Sequence, residues 1–346
     1  MRVLHLMAGA KVGGAETFFS RLVIGLEKTD IDQRVILRSS TPREKMFKKS
    51  SVEFRTARFG GVLDFGTRRR LKQELESFSP DIVISWMNRP TKFIPRNKKE
   101  KKRTFIHLGS PRGYYSHKYY RDCDHLVVTT KDLAKFYMNG SRLPEDVSII
   151  PNFVPDFVSK PVPRSKYDTP EDVPLLLALG RLHVNKGFDL LLKAMQVLPH
   201  HFLWIGGEGP LESELKGMAK KFGVSQRVRF LGWVPDSGPL YSAADVFVCS
   251  SRHEPFGNII IESWVHSTAI VAMASEGPGS IMEHGKTGLI VPNEDHAALA
   301  KAIEELNLNP QYREKLAVGG RNRYQEAYTE ERVIGQYLDL FERLKN

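Results

Sequence analysis

Cysteine is scarce in this chain of 346 residues: only Cys123 and Cys249 occur, far apart and in strand-like settings. That excludes a disulfide framework and makes a reducing cytoplasm the expected compartment. Long apolar runs are missing as well. Stretches such as Ile82 to Met87 and Leu175 to Leu179 fall far short of the ~20 residues of a spanning helix. The N-terminal MRVLHLMAGA holds an arginine and a histidine and runs on into GGAE, so it reads as a first strand and not a secretory signal. No Cys/His spacing suggests zinc, and no internal repeat or low-complexity tract is evident. Acidic residues are thin in the first half alone. Residues 1–155 hold 30 Lys+Arg against 16 Asp+Glu, a balance of +14, whereas the remainder holds 21 against 24, a balance of −3. Much of the excess lies in REKMFKK (43–49), RRRLK (68–72) and RNKKEKKR (96–103). Such clusters attract phosphate, in nucleic acid or at an anionic leaflet. A solvated surface is the plain alternative. The basic segments lie apart and no recognition motif accompanies them, so nucleic acid is not the expected partner.

What the sequence does have is short β-rich runs alternating with helical patterns. VLHLM, QRVILR, VEFRTA, DIVISW, RTFIHL and HLVVTT come first, then LLLALG, HFLWIG, RVRFLG, DVFVCS, AIVAMA and GLIVP. Helical stretches separate them, including GAETFFSRLVIGLEK and KGFDLLLKAMQVL. In the latter, Phe188, Leu191, Leu192 and Met195 share one helix face. This alternation means an α/β fold of parallel sheets with crossover helices. So many strands favour two sheets. Residues 151–174 hold six prolines and no apolar period, which reads as a linker. The expected domains are 1–155 and 156–328, with a final helix over 329–346. In doubly wound sheets ligands bind beyond the carboxyl ends of the strands, so the loops there are the candidates.

The first such loop, AGAKVGGAE, places Gly9, Gly13 and Gly14 between a strand and a helix. It suits either a phosphate loop or a tight turn. LLLALGRLHVNKG sets Arg181 and Lys186 at a strand-to-helix turn, where they could grip a diphosphate or stand solvated. LWIGGEGPL leaves a nearly bare loop at Gly206, Gly207 and Gly209. In HEPFGNIIIE, Pro255 and Gly257 place Glu254 in a loop and predict a helix from about Gly257 to Ser267. Its core face is Ile261, Trp264, Val265 and Thr268, with Glu262 at the edge. Both carboxylates then reach a ligand across the helix start, where the N–H groups of Phe256, Gly257 and Asn258 also point.

GGAE, GRLHVNKG, GGEGP and EPFGNIIIE, in this order, resemble glycosyltransferase family 4, and the resemblance spans nearly the whole chain. It implies the retaining GT-B class: two Rossmann-like domains whose parallel sheets face each other across a cleft, as in bacterial lipopolysaccharide-core or lipid-linked glycan glycosyltransferases. Glu262 then binds the ribose hydroxyls of a nucleotide-sugar and Glu254 contacts the transferred sugar. Backbone N–H groups of Phe256, Gly257 and Asn258 meet sugar or diphosphate, and Arg181 and Lys186 bind the diphosphate. Gly207 joins the donor site, as does the backbone of Val234 at the base. Gly13 and Gly14 lie near the diphosphate or acceptor. His107, at the end of RTFIHL, takes the place of a family histidine beside the sugar, although Leu108 follows where the family often has aspartate. Asn88 and Arg89 are acceptor-side candidates. The expected catalytic set is His107, Glu254, Arg181 and Lys186.

The Asp-x-Asp triplets DID (30–32) and DCD (122–124) precede strands, the wrong end for a ligand, so no metal or other cofactor is expected. The resemblance implies front-face attack with the leaving phosphate as base. Expected partners are a nucleotide-sugar, a lipid-linked or lipopolysaccharide acceptor, and the anionic inner face of the cytoplasmic membrane, where a basic domain would dock peripherally. A GT-B relative such as a sugar-nucleotide epimerase or phosphorylase is the alternative.

Overall fold

Strands buried on both faces must be apolar from end to end. Five strands have every residue buried and are apolar but for Ser85 and His125: β4 (Ile82–Trp86), β6 (His125–Val128), β8 (Leu175–Leu179), β11 (Val246–Cys249) and β12 (Ala269–Met273). They belong to two separate sheets in the computed structural model, which describes residues 1–11, 13–39, 41–61, 63–96, 103–140 and 142–345. The chain divides into one unit of Met1–Asn152 with Glu330–Asn346, and a second of Phe153–Thr329.

The first unit carries β1 (Arg2–Met7), β2 (Asp32–Arg38), β3 (Glu53–Ala57), β4, β5 (Ile106–Ser110), β6 (His125–Val128) and β7 (Val147–Ile149). All pair in parallel, in the order β3-β2-β1-β4-β5-β6-β7. β7, only three residues long, carries no run that alternation would flag. Helix Gly14–Leu26 buries Phe18, Phe19, Leu22, Val23 and Leu26. The last helix, Glu330–Lys345, buries Val333, Ile334, Tyr337, Leu340 and Phe341. It packs along helix 14–26, where Lys28 Nζ reaches Glu330 at 2.7 Å and Phe18 lies beside Tyr337.

The second unit carries β8, β9 (Phe202–Gly206), β10 (Val228–Gly232), β11 (Val246–Cys249), β12 and β13 (Leu289–Val291), again parallel, in the order β10-β9-β8-β11-β12-β13. The proline-rich stretch read as a linker is laid against this unit. Phe153, Val154 and Thr169 are buried, Tyr324 Oη donates to the Val154 carbonyl at 2.8 Å, and Trp204 Nε1 donates to Thr169 Oγ1. Its prolines leave only a short 3-10 turn over Arg164–Tyr167, but its apolar side chains still have a core to enter. Among the basic clusters, Arg68, Arg69, Arg70 and Lys72 are exposed on helix Phe65–Phe78. Arg43 is buried, and residues 97–102 lie outside the described residues. Among the described residues no helix is long and apolar enough to cross a membrane.

Candidate functional site

The strand order reverses direction at the β8/β11 pair, the switch point beside which ligands bind in doubly wound sheets. Lys186 comes from the loop after β8 and Glu254 from the loop after β11. Lys186 Nζ donates to Glu254 Oε2, with only 21% and 14% of the two side chains exposed. Burial works against the ammonium charge. The Glu254 charge and hydrogen bond outweigh it, so Lys186 is held above the usual lysine range and stays cationic.

The two loops are bolted together beneath this pair. Ser250 Oγ donates to the Lys186 carbonyl at 2.9 Å, and the Arg252 N–H donates to the Asn185 carbonyl at 2.8 Å. The Arg252 guanidinium forks onto both Asp189 oxygens at 2.7 and 2.8 Å, a bidentate arrangement that fixes orientation. Gly187 adopts φ +61°, and a Cβ there would strike the Ser250 carbonyl. Gly207 has a similar reason: a Cβ would enter the Gly180 carbonyl. Its bareness thus serves loop-on-loop packing. Arg181, between these loops, is exposed.

The helix after Glu254 runs Asn258–Val265, shorter than expected, because Gly257 sits at φ +94° before it and His266 leaves the helical region. Its buried face is Ile260, Ile261, Ser263, Trp264 and Val265, wider than the stripe read from the sequence; Thr268 is buried beyond the helix end. Glu262 is half-buried on its flank, and Tyr241 Oη donates to its carboxylate at 3.4 Å. Burial, then the Glu262 charge, keeps that phenol protonated. Phe256 is buried, and the loop rests on the next one: the Gly277 N–H donates to the Glu254 carbonyl at 2.6 Å, and Glu276 Oε2 accepts from the Glu254 N–H. Val234, half-buried, follows β10. Arg181, Lys186, Gly207, Val234, Glu254, Phe256, Gly257, Asn258 and Glu262 therefore all lie at or just beyond the carboxyl ends of β8 to β11. Tyr241, Arg252 and Glu276 went unread. Their signal is three-dimensional, since each supports a site residue from another loop.

In the first unit, Gly13 and Gly14 open helix 14–26 after β1, and Asn88 and Arg89 follow β4, all at the carboxyl edge. His107 does not stand there. The strand expected to end at Leu108 continues to Ser110, so His107 is the second residue of β5, paired with Val83 near the amino edge. Its ring is buried, with Nε2 2.8 Å from Ser85 Oγ and 3.7 Å from Cys123 Sγ. Burial, then Arg103, depresses its pKa to about 3. The Asp triplets lie at the amino ends of β2, whose first residue is Asp32, and of β6; Asp124 accepts from the His107 N–H and pairs with Arg103.

Two doubly wound parallel sheets, one with a Lys186–Glu254 ion pair at its switch point, have the architecture of the GT-B class of glycosyltransferases. The family models for Glycosyltransferase Family 4 and for Glycosyl transferases group 1 match residues 12–156 and 159–323. The chain is 34% identical to the lipopolysaccharide core biosynthesis glycosyltransferase LpsE of Rhizobium meliloti over 98% of both chains. It is 32% identical to LpsD of the same organism over 99% of this chain and 98% of that one. It belongs to the family 4 glycosyltransferases. In fold it is similar to Anabaena HepE, crystallised with UDP and glucose, at a TM-score of 0.85, 16% identity and 99% coverage of both chains.

Proposed function

We propose that this glycosyltransferase moves a sugar from a nucleoside diphosphate to an acceptor hydroxyl with retention of anomeric configuration and without a metal. The observation that carries the reading is the half-buried Lys186–Glu254 pair at the β8/β11 switch point. The hard step is departure of the diphosphate, and preorganised cations and N–H groups aimed at it stabilise the growing charge. Lys186 and Arg181 take that role, with the N–H groups of Phe256, Gly257 and Asn258. Glu254 orients the sugar, Glu262 accepts from the ribose hydroxyls, and Gly207 and the Val234 backbone flank the nucleotide. Gly13 and Gly14 meet the diphosphate or acceptor, and Asn88 and Arg89 lie on the acceptor side. His107 keeps a structural role, because its ring is walled in at the amino edge.

The acceptor is a lipopolysaccharide core or lipid-linked glycan, in keeping with the names of LpsD and LpsE. Docking at the anionic inner membrane face is supported by Arg68, Arg69 and Arg70 beside Leu63 and Phe65, which are 80% and 70% exposed.

The test is a Tm screen of the wild type and Lys186→Ala against UDP-, GDP-, ADP- and CMP-sugars. A ligand at 100 times its Kd adds ~2.7 kcal/mol, a few degrees for units of this size. One nucleotide class should shift the wild type alone. Equal shifts in both proteins would remove Lys186 from the donor site, and a product of inverted anomeric configuration would overturn retention.

A further inference from the structure

The glycine loop after β1 is held by two buried charged side chains that the transfer reading leaves without a role. Glu16, in the first turn of helix 14–26, is 7% exposed, and its Oε1 accepts from the Ala10 N–H at 2.6 Å. Arg43, from helix Thr41–Phe47, is 4% exposed. Its Nη2 donates to the Ala10 carbonyl at 2.6 Å and its Nη1 to the Lys11 carbonyl at 3.3 Å. The residue between Gly9 and Lys11 is thus gripped at its N–H by a carboxylate and at its carbonyl by a guanidinium. The carboxylate also fills the hollow of the loop: a Cβ on Gly9 or Gly13 would overlap it. Tyr115, from the loop after β5, lies close enough that the Glu16 charge, after burial, helps to raise its pKa.

We infer that Glu16 and Arg43 are positioning residues that clamp Ala10 from both sides and so fix the loop that leads to Gly13 and Gly14. Burial of a carboxylate and a guanidinium on a loop that needed only to turn would be costly. A loop that must present its backbone to a substrate in one geometry accounts for it. The functional half of the inference rests on the proposed use of this loop by substrate; the structural half does not.

Amide hydrogen exchange on the full chain separates the two. In the wild type Ala10 should be protected, although it lies in a loop. In Glu16→Ala its exchange should rise about tenfold or more while strand amides of β1 and β4 stay unchanged. Glu16→Gln retains an acceptor oxygen and should keep the protection, which guards against a Glu16→Ala variant that fails to fold. In turnover, Glu16→Ala and Arg43→Ala should each lower kcat by about tenfold. Their double variant should be no worse than the poorer single, because both act on one residue. Arg43→Lys should not rescue, having no fork for two carbonyls. Unchanged Ala10 exchange in Glu16→Ala overturns the clamp. Additive kcat losses, or kcat unchanged in both singles, overturn its role in transfer.

Discussion

Both units wind outward from a central strand pair, β1/β4 in one and β8/β11 in the other, yet the two pairs are furnished with different chemistry. At β8/β11 a lysine and a glutamate meet on loops tied by Ser250 and Arg252. At β1/β4 the neighbourhood is aromatic. Trp86 Nε1 donates to His5 Nδ1 at 3.4 Å, Phe19 stands edge-on to Trp86, and the Arg112 guanidinium lies 4.4 Å over Phe18. The scaffold therefore sets where a ligand can go, and the loop side chains decide which ligand it is. On the reading proposed above, the second unit holds and discharges an anion, whereas the first, which carries the basic excess, keeps its loops still and attracts a surface.

The largest test of this contrast is Lys186→Ala. Removing one preorganised partner of developing charge costs ~3–4 kcal/mol, so kcat should fall by roughly 10²–10³. An equivalent substitution in the first unit, Arg89→Ala, should act mainly on the KM for acceptor. Steady-state kinetics with both substrates varied would check the split, and a Lys186→Ala enzyme within threefold of wild type would erase it.

Next in size is Arg252→Ala. The fork onto Asp189 is charge-assisted and mostly shielded, and its loss should cost ~1.5–3 kcal/mol, seen as a Tm several degrees lower. Because Arg252 sits under the Lys186–Glu254 pair, kcat should fall as well. A lower Tm with intact kcat would mean that the loop keeps its shape without the fork.

Acid should then tell the units apart. Burial holds His5 and His107, both in the first unit, neutral down to pKa values of about 3. An unfolded histidine titrates at ~6.5. The folded values are depressed, so the stability tied to these groups is complete above pH ~6.5 and drains away as pH falls from there towards 3. The second unit has His201 and His266, also shifted down by burial. The first unit, which also holds His125 with a pKa lowered by burial to about 4, should lose exchange protection first between pH 6 and 4. Simultaneous loss in both units would reject that order. The smallest effect on the fold belongs to Arg69→Glu with Arg70→Glu. Exposed charges should leave Tm nearly unmoved, yet co-sedimentation with anionic vesicles at low salt should drop sharply.

Much of this was legible in the sequence. Twelve short β-rich runs became twelve parallel strands, most plainly where a strand covered on both faces cannot hide its composition, as in β8 and β12. Loops at the carboxyl ends of β8 and β11 were legible because glycines and lone charges stand out between apolar runs. What escaped was what needs a partner from elsewhere in the chain. β7 has too few residues to show a pattern. The register that puts His107 at the amino edge of β5 depends on Val83 opposite it. Arg43 looked like one member of a solvated basic cluster because nothing in REKMFKK reveals that its guanidinium turns inward to a loop 33 residues away. The prolines of 151–174 broke the pattern without stopping Phe153 and Val154 from entering a core.

The return of residues 330–345 to the first unit has a consequence for biogenesis. These residues leave the ribosome only after the whole of Phe153–Thr329 has been made. The aromatic floor of the first sheet therefore waits for Tyr337 and Phe341 while the second unit is already free to fold. During synthesis the later-encoded unit should be completed first. A nascent chain stalled before residue 330 would expose the apolar side of helix 14–26 to chaperones.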